Sequence, residues 1–323
     1  MPSNSFDRNR LHLKPLSDRK HEIDRSVIMD MEGDISRNIE EMRIINKVAN
    51  RIIKAKKVGA AVIVMIGAHV IRSGVQNYLI DLMEKGYISC IAMNGACIIH
   101  DFELALIGAT TESVARYIKN GQFGLWKETG KINHLVNTAF AEDKHIGMGV
   151  AIGRAIETGS FAFKEISLLA AGYRTQVPIT VHVGIGYDII HQHPNCDGAA
   201  TGALSYNDFL TFTSIVSNLE NGVIMNFGSA VMAPEVFLKA LSMAKNVLLQ
   251  EGRDIRCFTS LVCDLHRLPD DITSEASKSN PFYYFRPWKT MLVRAVANGG
   301  EGFYVQGRHD VTIPNLWHAI IRP

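Results

Sequence analysis

The sequence predicts an α/β fold: a doubly wound, mostly parallel Rossmann-like sheet with helices on both faces. Three observations carry this. Short apolar runs alternate with helical periodicity along the chain at least six times, and that alternation builds parallel sheets. Runs such as AAVIVMI (60–66) and YISCIAM (87–93) are apolar on both faces, as strands are when helices cover a sheet on both sides. Most runs also end in small or polar residues: Gly67-Ala68-His69, Asn94-Gly95-Ala96, Gly184-Ile185-Gly186, Gly228-Ser229-Ala230 and Gly307-Arg308. In a parallel sheet those ends share one edge, and ligands bind beyond it.

In chain order, residues 1–20 read as a mobile, solvated arm, extending to about residue 30. Residues 33–57 form an amphipathic helix, with Ile35, Ile39, Met42, Ile45, Ala49 and Ile52 at helical spacing and lysines at its C-terminal end, where they suit the helix dipole. Strand 60–66 follows, then helix 72–86 with its glycine stop, strand 87–93, and short helices 100–108 and 111–121. Residues 122–132 are a loop. Residues 133–173 are helical, divided near Thr158-Gly159. Strand 177–183, helix 205–222, strand 222–227, helix 234–247 and strand 254–262 come next. After an irregular stretch (264–286), helix 288–298, strand 301–307 and helix 312–321 close the chain. No repeat or linker divides it, so residues 1–323 are expected to form one domain.

Composition narrows the function. The chain is 47% hydrophobic and carries 34 basic against 32 acidic side chains, a net charge of +2. Neither nucleic acid nor a membrane surface is expected as a partner. No apolar run reaches the roughly 18 residues a span needs. The N-terminus MPSNSFDRNR is polar, and the five cysteines form no CxxC pair. Reduced thiols and a cytoplasmic location are expected.

The stretch VPITVHVGIGYDIIHQHPNCDG (177–198) holds the strongest site signal. A strand runs into glycines and then into Asp188, His191, His193, Cys196 and Asp197. Asp188 at a strand end suits a cationic substrate or a ribose hydroxyl; as a helix-terminal acid it would only face the dipole. His191, His193 and Cys196 have ligand types that suit zinc, but no fourth ligand is marked. Polar residues of a binding loop are the preferred reading, with no metal.

Other groups have two readings. His100-Asp101 is a second polar element of the site, or Asp101 is a helix cap. Ser229 and Glu235 flank Pro234, where capping explains them as well as catalysis does. Tyr283, Tyr284, Phe285, Trp288 and Lys289 place a cation among rings; rings can hold an alkylammonium or nicotinamide, and a desolvated lysine can act as a nucleophile. The bland alternative is an aromatic patch with a surface lysine. Gly147-Met148-Gly149-Val150-Ala151-Ile152-Gly153 is similar to a dinucleotide fingerprint but follows a helix rather than a strand, so its glycines are expected to pack helices together.

Four segments in order resemble the deoxyhypusine synthase family: HVIRSGVQNYLIDLMEKGYISCIAMNGACIIHDFELAL (69–106), SLLAAGYRTQVPITVHVGIGYDIIHQH (167–193), ENGVIMNFGSAVMAPEVFLKAL (220–241) and EGFYVQGRHDVTIPNLWHAI (301–320). The resemblance implies a Rossmann-like homotetramer with NAD and an amine substrate. It implies cofactor-binding turns at Ser73, Gly74, Asn94, Gly95, Gly228, Ser229, Gly307, Arg308 and Asp310. Asp188 falls on an acid that binds the amine substrate in that family, and Trp288-Lys289 is the nearest match to its catalytic lysine motif. Beyond the resemblance, His193, Glu235 and Trp288 are read as substrate-binding with Asp188, and Lys289, His191 and His100 as catalytic. The family's Trp-Gly-Lys motif is reduced here to Trp288-Lys289, and its acidic run is replaced by SEASKSNPFYYFRP. The expectation is therefore an NAD-dependent transferase or oxidoreductase acting on a small amine or polar metabolite, rather than deoxyhypusine synthesis. The alternatives are a non-redox or metal-dependent enzyme using His191, His193 and Cys196, and a non-catalytic binding homologue.

Overall fold

The computed structural model describes residues 6–33 and 39–322. Its elements, in order, are β1 (Ile23–Asp24), α1 (Ile39–Val58), β2 (Val62–Ile66), α2 (Ala68–Arg72), α3 (Gln76–Glu84), β3 (Cys90–Asn94), α4 (Gly95–Ile107), β4 (Ala109–Thr110) and α5 (Val114–Tyr117). Then come α6 (Lys131–Glu142), α7 (Met148–Thr158), α8 (Leu168–Thr175), β5 (Ile179–His182), α9 (Gly198–Val216), β6 (Val223–Phe227) and α10 (Met232–Gln250). β7 (Thr259–Asp264), a π-helix (Pro287–Arg294), β8 (Glu301–Gln306) and α11 (His309–Ile321) complete the chain.

Six strands pair in the order β5-β3-β2-β6-β7-β8, every pair parallel. Counted along the chain, this is the 3-2-1-4-5-6 order of doubly wound sheets, and strand order reverses between β2 and β6. The expected fold is the observed one. β2 shows why its sequence is apolar throughout. Val62, Val64 and Ile66 join one core with residues of α1, α3, α4 and α11, while Ile63 and Met65 join the other with residues of α9 and α10. Alternate side chains of one strand thus fill both layers.

The N-terminal segment departs from expectation. It is not a solvated arm: Leu16 is 2% and Arg19 4% exposed. Lys14 bridges to Trp126, Leu16 N–H donates to Glu128 at 2.6 Å, and β1 pairs antiparallel with β4. The cause is a charge in the fold: Arg19 forms a two-pronged bond with Glu103 of α4, at 2.9 and 2.7 Å. Residues 1–5 of the expected arm and 34–38 of the expected first helix lie outside the described residues.

Helix boundaries differ where capping chemistry is hidden in a turn-like sequence. α4 begins at Gly95, not near residue 100, because the Asn94 side chain accepts from Cys97 N–H. α9 begins at Gly198, because Asp197 accepts from Ala199 and Ala200 N–H. The stretch 133–173 holds parts of three helices, not two. Asp101 does not cap its own helix. It is 1% exposed and reaches across to the start of α8, accepting from the Ser167 hydroxyl and from Leu168 N–H. The glycines of 147–153 do pack elements together, as expected: a methyl group on Gly149 would lie 1.7 Å from Ile179 O, and one on Gly153 2.4 Å from Leu169 O.

Candidate active site at the carboxyl edge of the sheet

The site begins where β5 ends. The chain leaves the sheet through Gly184–Gly186 and turns back at Asp188, whose carboxylate lies on the backbone of Gly95. A methyl group there would be 2.0 Å from Oδ2. Asp188 is 9% exposed, and burial alone raises its pKa to about 6, with no charge influencing it. His191 fixes this turn. Its Nδ1 accepts from Gly186 N–H and Asp188 N–H, each at 3.2 Å, so the ring proton sits on Nε2. That Nε2 is buried without a partner among the described residues.

Asp188 forms one wall of a cavity of about 280 Å³; Arg72 at the end of α2 and His100 on α4 also line it. Arg72 donates to His69 Nε2 at 3.2 Å, its Nε is buried without a partner, and no carboxylate pairs with it among the described residues. On this cavity, then, Asp188, whose carboxylate accepts only from the His191 backbone, has no cation beside it, and Arg72 has no carboxylate, among the described residues.

His100 has an assigned tautomer. Thr110 Oγ1 donates to Glu103 Oε2 at 2.8 Å, so it must accept from His100 Nδ1–H, also at 2.8 Å. Glu103 in turn takes two bonds from Arg19 and one from Thr129, a set that satisfies a buried carboxylate. Burial pushes His100 down to about 4. At neutral pH its Nε2 is therefore a lone pair, able to accept a hydrogen bond or take a proton from a ligand. Glu112, on the same cavity, is held by Trp126 Nε1–H and Gly124 N–H and raised by burial.

Next along the edge is the switch point between β2 and β6. Gly67 and Gly228 meet there: a methyl group on Gly67 would lie 2.4 Å from Gly228 O. Gly228 has φ +67°, and a methyl group on it would lie 2.4 Å from His309 Nε2. Asn226 ties the turn by donating to Ser229 O and accepting from Ser229 N–H. His309 Nδ1 is buried and unpartnered among the described residues. His100 lies within electrostatic reach of Glu103, Arg72, Arg19 and His69, and His309 of Asp264, His69 and Asp310. A polar row thus runs along the edge from His100 to Asp264. Gly307, Arg308 and Asp310 extend it at β8: Gly307 N–H donates to Asp264 O at 3.0 Å, and Arg308 pairs with Asp310.

The structure therefore brings together Asp188, His191, His100 and Gly95; Gly228 and Ser229 lie apart from them at the end of β6, where Ser229 Oγ accepts from Ala233 N–H. Other expected residues are elsewhere. His193 is completely buried; its Nε2 donates to Gly124 O at 2.8 Å, so it staples two loops and cannot reach a ligand. Cys196 is buried too. The metal alternative fails on this point, since no three such side chains among the described residues converge. Ser73 donates to His69 O, and a methyl group on Gly74 would be 1.8 Å from Val27 O; the N-terminal segment sits where a cofactor was expected. Asn94 is engaged as the cap of α4. Trp288 is core, with Nε1–H donating to Ile272 O. Lys289 is 7% exposed, paired with Glu275 at 3.4 Å and 3.6 Å over the Tyr283 ring. Glu235 pairs with Lys239 and Arg286.

Sequence reading missed Arg72, Glu103 and Glu112; His69 was marked only as part of a strand-end turn, and His309 only by the family resemblance, on its last cofactor-binding turn. Arg72 sits at the last position of a helix expected to begin there, which hid it. Glu103 gave no signal, because its partner Arg19 lies 84 residues away.

Comparisons with known proteins bear on the fold. A sequence profile for the C-terminal Rossmann-fold domain of arginine dihydrolase ArgZ-like proteins matches residues 46–161, from within α1 to just past α7. No curated protein matches the chain. Among solved structures, AgrE in ternary complex with ornithine and NAD+ is 16% identical, with a TM-score of 0.51; it covers 89% of this chain and 34% of its own. An AgrE mutant with L-arginine gives 16% and 0.50 over the same shares. The chain thus spans about a third of the length of those proteins. An Entamoeba histolytica protein assigned as a deoxyhypusine synthase covers 90% of this chain and 95% of its own, but at 8% identity and a TM-score of 0.41. That likeness is too remote to carry the family resemblance, and the matching profile is the ArgZ-like one.

Proposed function

We propose that the chain is an NAD-linked Rossmann enzyme acting on a small amino-acid metabolite. The observation that carries this is the pairing of a carboxylate without a cation, Asp188, and a guanidinium without a carboxylate, Arg72, on one cavity beside the switch point. A zwitterion has the two charges to match: Asp188 would take the ammonium, and Arg72, with its planar fork of donors, the carboxylate. AgrE, whose fold the chain shares, is known with both ornithine and NAD+, which supports the reading.

The crevice suits a dinucleotide. Gly67 and Gly228 bring bare backbone together at the switch point, with the His309 ring packed on Gly228 through Nε2; His309 Nδ1 is buried without a partner among the described residues. Gly67, Gly228, Ser229 and His309 would hold the cofactor, and the chemistry a bound nicotinamide supplies is reversible hydride acceptance. The pyrophosphate would not sit at the start of α4, where the Asp188 carboxylate already rests on Gly95. The chain's own part is to hold the substrate ammonium at Asp188, keep His100 Nε2 free as a proton acceptor, and fix the Asp188 turn through His191. Transfer through Lys289 is not part of the proposal, because that amine is engaged by Glu275 and Tyr283.

The loops of this edge expose Ile185, Tyr187, Val231 and Leu265. This supports a homo-oligomer, which scattering in solution would size. Calorimetry with NAD and with L-ornithine as the amino-acid probe tests the function. Binding of both is expected, with ornithine weakened at least about tenfold by Asp188→Asn and by Arg72→Met. No heat from either ligand would sink the proposal.

A further inference from the structure

A second concavity lies on the opposite edge of the sheet, below the starts of β6, β7 and β8. It has a volume of about 530 Å³. One wall is the last turns of α1, which present Arg51, Lys54 and Lys57; the facing wall includes Gly222, Gly299 and the exposed Cys257. The three cations recur every third residue, so they form one stripe along the helix.

The charges in this concavity do not balance. Glu301 is the acid on its wall, and it is engaged twice, by Arg51 and by Lys47 at 3.3 Å. Glu220, close by, accepts from the backbone N–H groups of Arg256 and Cys257 at 2.6 and 2.9 Å. Lys54 and Lys57 have no acidic partner among the described residues. Their neighbour Lys56 points away from the concavity and does have a structural role: it donates to Lys85 O and lies 3.9 Å over the Tyr87 ring. The two unpaired lysines are thus the ones that face the cavity.

We infer that this concavity binds a small polyanion, a molecule carrying two or more phosphate charges, held by Lys54 and Lys57. Arg51, already compensated, shapes the wall. The bare backbone at Gly299, where an added methyl group would meet nothing closer than 3.7 Å, leaves room for the ligand beside the strand starts. Nothing in the carboxyl-edge crevice contributes to this site, so it is separate from the proposed dinucleotide site.

Cys257 makes the inference testable, because it is an exposed thiol on this wall while Cys90, Cys97, Cys196 and Cys263 are buried. The experiment is alkylation of the native protein by iodoacetamide, a neutral reagent, followed by peptide mass mapping with and without inorganic pyrophosphate at constant ionic strength. Pyrophosphate is expected to slow alkylation of Cys257 about tenfold once it stands about ten times above its Kd. The double variant Lys54→Gln, Lys57→Gln is expected to lose that protection while melting at an unchanged temperature, since both lysines are exposed. Pyrophosphate bound only in the crevice would leave Cys257 unprotected. Absence of protection, or protection that survives in the double variant, overturns the inference.

Discussion

The carboxylate of Asp188 rests on the backbone of Gly95: the first residue of α4 has no side chain, and an atom in that place would sit 2.0 Å from Oδ2. The two residues are 93 positions apart, in the segments that follow β5 and β3, which are neighbours in the sheet. Gly95→Ala should therefore push the carboxylate out of its seat. A destabilisation of about 1–3 kcal/mol is expected from overpacking, with a matching loss of ornithine binding. In an Asp188→Ala background the same change should cost much less, because the obstructing oxygen is gone. Urea melts of the four proteins in this cycle measure the coupling. Additive costs would mean the two residues do not touch.

Asp188 should also set a pH dependence. Its pKa is raised to about 6 by burial. Above that pH it is ionised and holds an ammonium; below it, affinity should fall about tenfold per pH unit. His100, pushed down to about 4, stays neutral through this range and adds no limb above pH 5. Binding of L-ornithine measured from pH 5 to pH 8 should thus rise through about pH 6, and Asp188→Asn should flatten the curve.

The same shift has the opposite consequence for folding. A carboxyl whose pKa is higher in the folded than in the unfolded chain contributes stability below the unfolded value, near 4, and loses it as pH rises through about 6. Asp188→Asn should therefore stabilise the fold at pH 8, by roughly 1–3 kcal/mol, and change little at pH 4. Denaturation of both proteins at the two pH values checks the sign. Equal gains at both pH values would mean that ionisation is not the cause.

Much of this was legible in the sequence. The six strands follow from runs such as 60–66, whose alternate residues fill two cores, and Asp188 was marked by its place after a strand and two glycines. The positions that were missed depend on partners distant in sequence. Arg19 reads as one more basic residue of a polar arm until Glu103 is placed beside it. His193 has the composition of a ligand, and only the fold puts Gly124 O against its Nε2. Capping hid the start of α4, because Asn94-Gly95-Ala96 has the chemistry of a turn and of a helix start alike.

The Arg19–Glu103 pair gives a further expectation. Both side chains are 1% exposed, and Glu103 also orients Thr110 and, through it, His100. Arg19→Met leaves a buried carboxylate uncompensated and should cost about 3–5 kcal/mol. Arg19→Met with Glu103→Leu should recover part of that stability. It should not recover function, because Thr110 then has no acceptor and the His100 tautomer is no longer fixed. Chemical denaturation gives the first comparison, and nitrogen chemical shifts of His100 give the second. A double variant that keeps the proton on Nδ1 would remove Glu103 from the relay.

The last expectation concerns Gly228 and His309 at the switch point. Gly228 has φ +67°, a left-handed conformation that a side chain resists, and a methyl group would lie 2.4 Å from His309 Nε2. Gly228→Ala should cost about 1–3 kcal/mol from backbone strain and displace the imidazole. His309→Ala removes the obstruction and leaves the backbone conformation untouched. If the crevice holds NAD, Gly228→Ala should weaken its binding at least about tenfold. Adding His309→Ala should relieve part of the folding cost but none of the loss in affinity, because the buried polar atom at His309 Nδ1 is gone. Calorimetry with NAD and thermal melts on the same samples separate the two effects. An unchanged affinity in Gly228→Ala would move the cofactor away from the switch point.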